Sequence, residues 1–173
     1  TIVRSSLRRQ YDTYFLFSDP DESRLRYRED EILDAAGEVT DVDYRLTLMT
    51  AAKEREFPKS VLLSRSRFDA DAKHSPRFYR EYFHPQREVA VHKERRRYHI
   101  RYGGTDFAVN FDQIIQPALP GAYLEIQSRT WSAQDAEHKA DLISALLDKF
   151  GVQEAGLVRR EYLDLAMDAL AGA

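Results

Sequence analysis

The chain has 173 residues, 43% hydrophobic and 32% charged, with a formal net charge of −3 and a pI near 6.0. That length suits one domain with a sizeable core, and the slightly acidic balance argues against broad electrostatic adhesion to nucleic acid. The absence of cysteine excludes disulfides, thiolate zinc sites and cysteine nucleophiles.

No apolar run approaches the roughly 18 residues needed to span a bilayer, and no signal peptide is visible, so a cytoplasmic protein without membrane contact is expected. The sequence begins at Thr1 and not at Met, which fits a single domain, 1–173, excised from a longer multidomain protein. "QYDTYFLFS" (10–18) is aromatic and β-prone, and "DPDES" (19–23) is a turn signal. "RLRYRED" follows, with Arg24, Arg26 and Arg28 on one face and Leu25 and Tyr27 on the other. "DAAGEVTD" (34–41) predicts a second turn. "VDYRLTLMT" (42–50) sets Val42, Tyr44, Leu46 and Leu48 against Asp43, Arg45, Thr47 and Met49. These segments predict consecutive antiparallel strands. Pro58 argues against a central strand over 55–68, and Ser75-Pro76 opens a short helix within 69–83.

"VHKERRRYHIRY" (91–102) is the most informative segment. At a period of two, Lys93, Arg95, Arg97, His99 and Arg101 share one face, and Tyr98, Ile100 and Tyr102 the other. Like charges packed this closely repel, so water, carboxylates across a sheet or a polyanion must offset them. "YGGTDF" (102–107) predicts a hairpin, "FAVNFDQI" (107–114) a returning strand and "QPALPGA" (116–122) a loop. "YLEIQSRTW" (123–131) predicts another strand, with Leu124 and Ile126 opposed to Glu125, Gln127 and Arg129. Ser132 and Asp135 form a capping-box-like start for a helix ending at Gly151, and "RREYLDLAMDALAGA" (159–173) gives a second amphipathic helix. The sum is an α+β chain of roughly six to eight antiparallel strands and about three helices. Several strands combine an apolar face with a charged one. A flat sheet would leave the charges in water. A barrel would pack the apolar faces outward under helices and line a lumen with the charged ones. Trp131 and the tyrosines are expected on that exterior.

The order "LRYR" (25–28), "LTL" (46–48), "V.K.R..Y" (91–98), Asp112 and "G.YLEIQ" (121–127) resembles the CYTH domain, or triphosphate tunnel metalloenzyme, over most of 10–150. The resemblance implies an antiparallel β-barrel of about eight strands with flanking helices, whose tunnel binds a triphosphate. Such domains include inorganic and thiamine triphosphatases, class IV adenylyl cyclases and RNA triphosphatases, in which basic residues grip phosphates and glutamates hold Mg²⁺ or Mn²⁺. By that resemblance Arg26 and Arg28 match an Arg-x-Arg pair, Lys93 and Arg95 a Lys-x-Arg pair, and Glu125 the first carboxylate of a closing Glu-x-Glu. Arg97 shares the same basic row. The implied ligand is a nucleoside triphosphate or an inorganic tri- or polyphosphate. If the domain is catalytic, the implied chemistry is metal-assisted phosphoanhydride hydrolysis.

The pattern also departs from that family. No carboxylate in "TIVRSSLRR" matches its opening Glu-x-Glu-x-Lys strand, Gln127 replaces the second closing glutamate, and Met49 stands where lysine is frequent. Glu54 and Glu56 fall where a further acidic ligand is often found. Arg4, Arg8 and Arg9 either extend the basic face or form a solvated terminus. Glu29, Asp30 and Glu31 pair with arginine or face solvent, and Asp112 serves a structural role. The five histidines show no metal-ligand spacing, and no Gly-rich phosphate loop or serine-nucleophile elbow occurs. Three further expectations stay open: a non-catalytic sensor domain fused to an upstream kinase or ATPase nucleotide-binding domain, a single-stranded nucleic-acid module using Tyr98 and Tyr102, and an interaction domain without a small ligand.

Overall fold

A computed structural model describes residues 1–18, 23–50 and 67–172. The backbone forms β1 (Ile2–Leu16), β2 (Ser23–Leu33), β3 (Val39–Thr50), β4 (Arg67–Asp71), α1 (Pro76–Phe83), β5 (Arg87–Tyr102), β6 (Thr105–Gln116), β7 (Tyr123–Gln127), α2 (Ala133–Lys149) and α3 (Tyr162–Ala171). The strands make one seven-stranded sheet in the order β4-β3-β2-β1-β5-β6-β7, antiparallel throughout. The long β1 pairs with β2 on one side and β5 on the other, and so lies at the centre. Its basic start, for which the sequence left open a solvated terminus or an extension of the basic face, is strand: it pairs with β5 from Ile2 onward and also with β2 from Leu7 onward.

The sheet is not closed into a barrel: among the described residues, β4 and β7 are end strands with no hydrogen bonds between them. It curls nevertheless. Arg129, just past β7, lines a cleft of about 380 Å³ together with Arg45, Asp69, Ala70 and Asp71 of β3 and β4. The sheet thus has a concave and a convex face. The β5–β6 hairpin turns on Gly103 (φ +56°) and Gly104 (φ +76°), both in the left-handed region that a tight two-residue turn requires.

The apolar core is split between the two faces. On the convex face Tyr79 of α1 packs with Phe15, Leu25 and Tyr27, joined by Leu46 and Ala72. At one end of the concave face α3 buries Leu163 and Ala166 against Tyr14, Leu16, Met49, Val89, Val91 and Ile114. The expectation that helices cover only the exterior is therefore corrected. A strip of apolar residues inside the curl, at the β1 C-terminal end, gives α3 a surface to bury. On β3 the two faces are likewise exchanged. Thr47 and Met49, from the face read as polar, are buried, while Tyr44 and Leu48 are exposed. Trp131 is 82% exposed and packs nothing of the exterior. No helix among the described residues is long and apolar enough to cross a membrane.

Candidate functional site: the concave polar face

Alternation places one set of side chains from every central strand on the concave face. The register aligns Asp12 of β1 with Arg28 of β2, and Tyr14 with Arg26. It aligns Gln10 with Lys93 of β5, Arg8 with Arg95, and Ser6 with Arg97. On β6, Asp112 lies opposite Arg95 and Asn110 opposite Arg97, and Glu125 of β7 lies opposite Asn110. The residues expected to grip phosphate, Arg26, Arg28, Lys93, Arg95 and Arg97, thus all leave β2 and β5 on one face, with β1 between them.

Most of these charges have resident partners. Asp12, fully buried, accepts from Arg28 Nε and Nη2 at 2.6 Å each and from Lys93 Nζ at 2.9 Å. Arg95 donates through Nε to Asp112 at 2.6 Å and through Nη2 to Glu125 at 2.6 Å. Arg26 Nη2 donates to Thr47 Oγ1, which in turn donates to Asp69. Burial raises the Asp12 pKa, but the cations Arg28, Lys93 and Arg26 outweigh that and hold it well below the usual carboxylate range. For Lys93 burial wins over the pull of Asp12 and brings the ammonium down to about 7, with Arg28 and Arg95 pushing the same way. Arg28 and Arg95 stay firmly protonated, because their carboxylate partners outweigh burial.

The part of the face near the N-terminus of β1 differs. Arg97 gives one hydrogen bond, Nε to Asn110 Oδ1 at 2.8 Å, and among the described residues it has no carboxylate partner. Burial, then Arg95, Arg8 and Arg28, lower its pKa to about 10, against a weaker pull from Asp30. Arg8 donates to Asp30 at 2.6 Å and to Ser6. Arg9 is on the convex face, paired with Glu31 at 2.8 Å, so it does not extend the row.

A divalent cation does not fit the described donors. Asp12 and Asp112 are filled by cations, and Tyr162 Oη also donates to Asp112 at 2.7 Å. Glu125, expected to hold Mg²⁺ or Mn²⁺, instead accepts from Arg95, Asn110 and Gln127. Among the described residues no three carboxylate or imidazole groups converge. Glu54 and Glu56 lie outside the described residues.

α3 closes the apolar end of this face. Its Tyr162 ring lies 5.3 Å from Lys93 Nζ, and Glu161 and Asp164 at its N-terminus hold Arg24 at 3.2 and 3.1 Å. Asp12, Asn110 and Tyr162 are participants that the sequence did not single out, whereas Arg8, one of the three N-terminal arginines expected either on the basic face or in a solvated terminus, does join the face. Asp12 carried a signal: with Gln10 it is a polar pair at period two inside an aromatic strand. Tyr162 carried none, since nothing local places a C-terminal helix inside the curl.

Fold and site together define an α+β protein with a curled antiparallel sheet, charged on its inner face. Known structures share the architecture. The PH1819 protein of Pyrococcus horikoshii OT3 is similar over 97% of this chain and 87% of its own, with a TM-score of 0.71 and 18% identity. A conserved hypothetical protein of Pyrococcus furiosus (TM-score 0.56, 17% identity, 95% of this chain and 85% of that one) and the PH1012 protein of P. horikoshii OT3 (TM-score 0.55, 14% identity, 92% and 82%) are also similar. At these identities the likeness shows the fold alone. No protein-family model matches the sequence, and no curated protein matches it.

Proposed function

We propose that the concave face binds a triphosphate-bearing ligand, a nucleoside triphosphate or an inorganic tri- or polyphosphate, and that the chain is a divergent CYTH-like domain. In this reading the seven strands form the wall of a triphosphate tunnel. The observation that carries it is the register: Arg26, Arg28, Lys93, Arg95 and Arg97, chosen by the family pattern, point to one concave face together with Arg8. Guanidinium groups suit phosphate oxygens because their planar fork donates to two at once.

The donor set favours binding over metal-dependent hydrolysis. Each carboxylate placed to receive a divalent ion already neutralises a cation, so the reading that fits best is a sensor or regulatory domain. Fusion to an upstream nucleotide-binding domain and a cytoplasmic setting, where such ligands occur, go with it. A single-stranded nucleic-acid module is less well supported. Tyr98 packs edge-on against Phe111, and Tyr102 lies 5.9 Å from Lys149 of α2, both on the face opposite the arginines. Interleaved stacking and phosphate contact would need them on the same face.

Isothermal titration of the chain with tripolyphosphate and ATP, with Mg²⁺ and then with EDTA, tests this reading, alongside a phosphate-release assay. Saturable binding with no metal-dependent phosphate release is expected. Failure to bind either ligand in both buffers contradicts the reading. Release of phosphate only with Mg²⁺ contradicts the non-catalytic part of it.

A further inference from the structure

We infer that Arg4, Arg8, Arg97 and His99 form an anion subsite, at the end of the concave face remote from α3, that takes a terminal phosphate of a polyphosphate chain without a divalent cation. The ligand class rests on the reading above; the place and the metal independence rest on the following geometry.

Arg4, Ser6 and Arg8 follow one another at period two on β1, and Arg97 and His99 do so on β5. The register pairs Arg4 with His99, Ser6 with Arg97 and Arg8 with Arg95. Side chains directly opposite on adjacent strands stand about 5 Å apart at Cβ. Three guanidiniums and an imidazole therefore share a patch of two strands. Ten residues of β1 separate Arg4 from Tyr14, which packs with α3, a span of about 33 Å.

Little negative charge answers this patch. From β2, Asp30 holds Arg8 and also draws on Arg97, so one carboxylate answers two guanidiniums. From β6, Arg97 meets the neutral Asn110, His99 lies opposite Ala108, and Asp106 is engaged by Arg101. The deeper cations Lys93 and Arg95 are almost fully buried and balanced by Asp12, Asp112 and Glu125, whereas Arg4 is exposed and Arg97 and His99 are half-buried. Repulsion among the outer cations registers in their protonation. The His99 imidazole is pushed below its usual range by burial, then by Arg4, Arg97 and Arg8, against a weaker pull from Asp106.

An anion in the patch would offset the repulsion among these cations and favour the protonated imidazole. Two arginine forks supply the charge that a bridging metal supplies elsewhere, and they fit the oxygens of a terminal phosphate. An internal phosphate has fewer free oxygens, so the chain end is the better match.

Calorimetry of the full chain with inorganic tripolyphosphate, in EDTA and in Mg²⁺ buffer, tests the subsite. Arg97→Gln and Arg4→Gln should each weaken binding by about tenfold, and Arg97→Lys by less, since charge stays but the fork is lost. Arg96→Gln removes the same charge from an exposed position on the convex face and should leave affinity within about twofold. Thermal melts identify any variant that fails to fold, and an NMR titration of the native chain provides a second readout: the His99 imidazole pKa should rise on adding tripolyphosphate. Equal loss in Arg97→Gln and Arg96→Gln overturns the subsite, as does binding that vanishes in EDTA or an unmoved His99. If the native chain binds no tripolyphosphate in either buffer, the triphosphate reading itself falls, a result distinct from these.

Discussion

Asp12 joins β1, β2 and β5 through one carboxylate. Losing its charge would leave the Arg28 guanidinium and the Lys93 ammonium facing each other in a buried site, where removing one partner of an ion pair costs about 3–5 kcal/mol. Asp12→Asn is therefore expected to lower the unfolding free energy by about that amount, measured by urea denaturation at neutral pH. Lys93 makes a second prediction. Its folded pKa, about 7, is below its reference value of 10.5, so between those values the unfolded chain binds more protons than the folded one. Stability contributed by this group thus rises with pH from about 7 to 10.5 and is lower at the acid end. In Lys93→Met the rise in melting temperature over that window should flatten; an identical rise in both proteins contradicts the assignment. The polar period-two pair Gln10 and Asp12 made the first residue legible in principle. The pairing itself was not, because it depends on register between strands separated by as many as 81 residues.

Elements differ in how well local pattern specified them. β2 and β5 could be read because Arg alternates there with Leu, Tyr or Ile, and β6 because Phe107, Val109 and Phe111 alternate with Ala108, Asn110 and Asp112; both patterns have the strand period. α1 and α2 were marked by Ser75-Pro76 and by Ser132, whose side chain accepts from Asp135 N. What alternation cannot say is which face is buried. On β3 the polar face is the inner one because the sheet curls around it, a property of seven strands together. For the same reason α3 was expected outside and is found inside. Leu163→Ala removes a fully buried side chain from that contact and should cost about 3 kcal/mol, read as a shift in the urea midpoint. The β5–β6 turn allows a sharper comparison. A Cβ on Gly103 would come within 2.7 Å of Leu142 Cδ2 of α2, whereas one on Gly104 meets nothing within 4 Å. Both alanine substitutions pay left-handed strain of about 1–2 kcal/mol. Gly103→Ala should lose more than Gly104→Ala by the amount needed to displace Leu142; equal losses would mean that α2 yields freely.

For the molecule as a whole, a net charge of −3 conceals a segregated distribution. The buried cations and carboxylates share one concave face, balanced near α3, and the row they belong to is less balanced toward the N-terminus of β1. Composition excluded a polycation but said nothing of this gradient, which follows from strand order and register. The open sheet also departs from the expected closed barrel, since no local signal reports whether the first and last strands of a curled sheet will pair. The most direct test of the central claim is a crystal structure of the chain with tripolyphosphate in metal-free buffer. Phosphate density is expected on the concave face between β1 and β5, its end within hydrogen-bonding distance of Arg97. Phosphate bound only on the convex face, or a concave face that stays free of it at saturating ligand, would rule out this site.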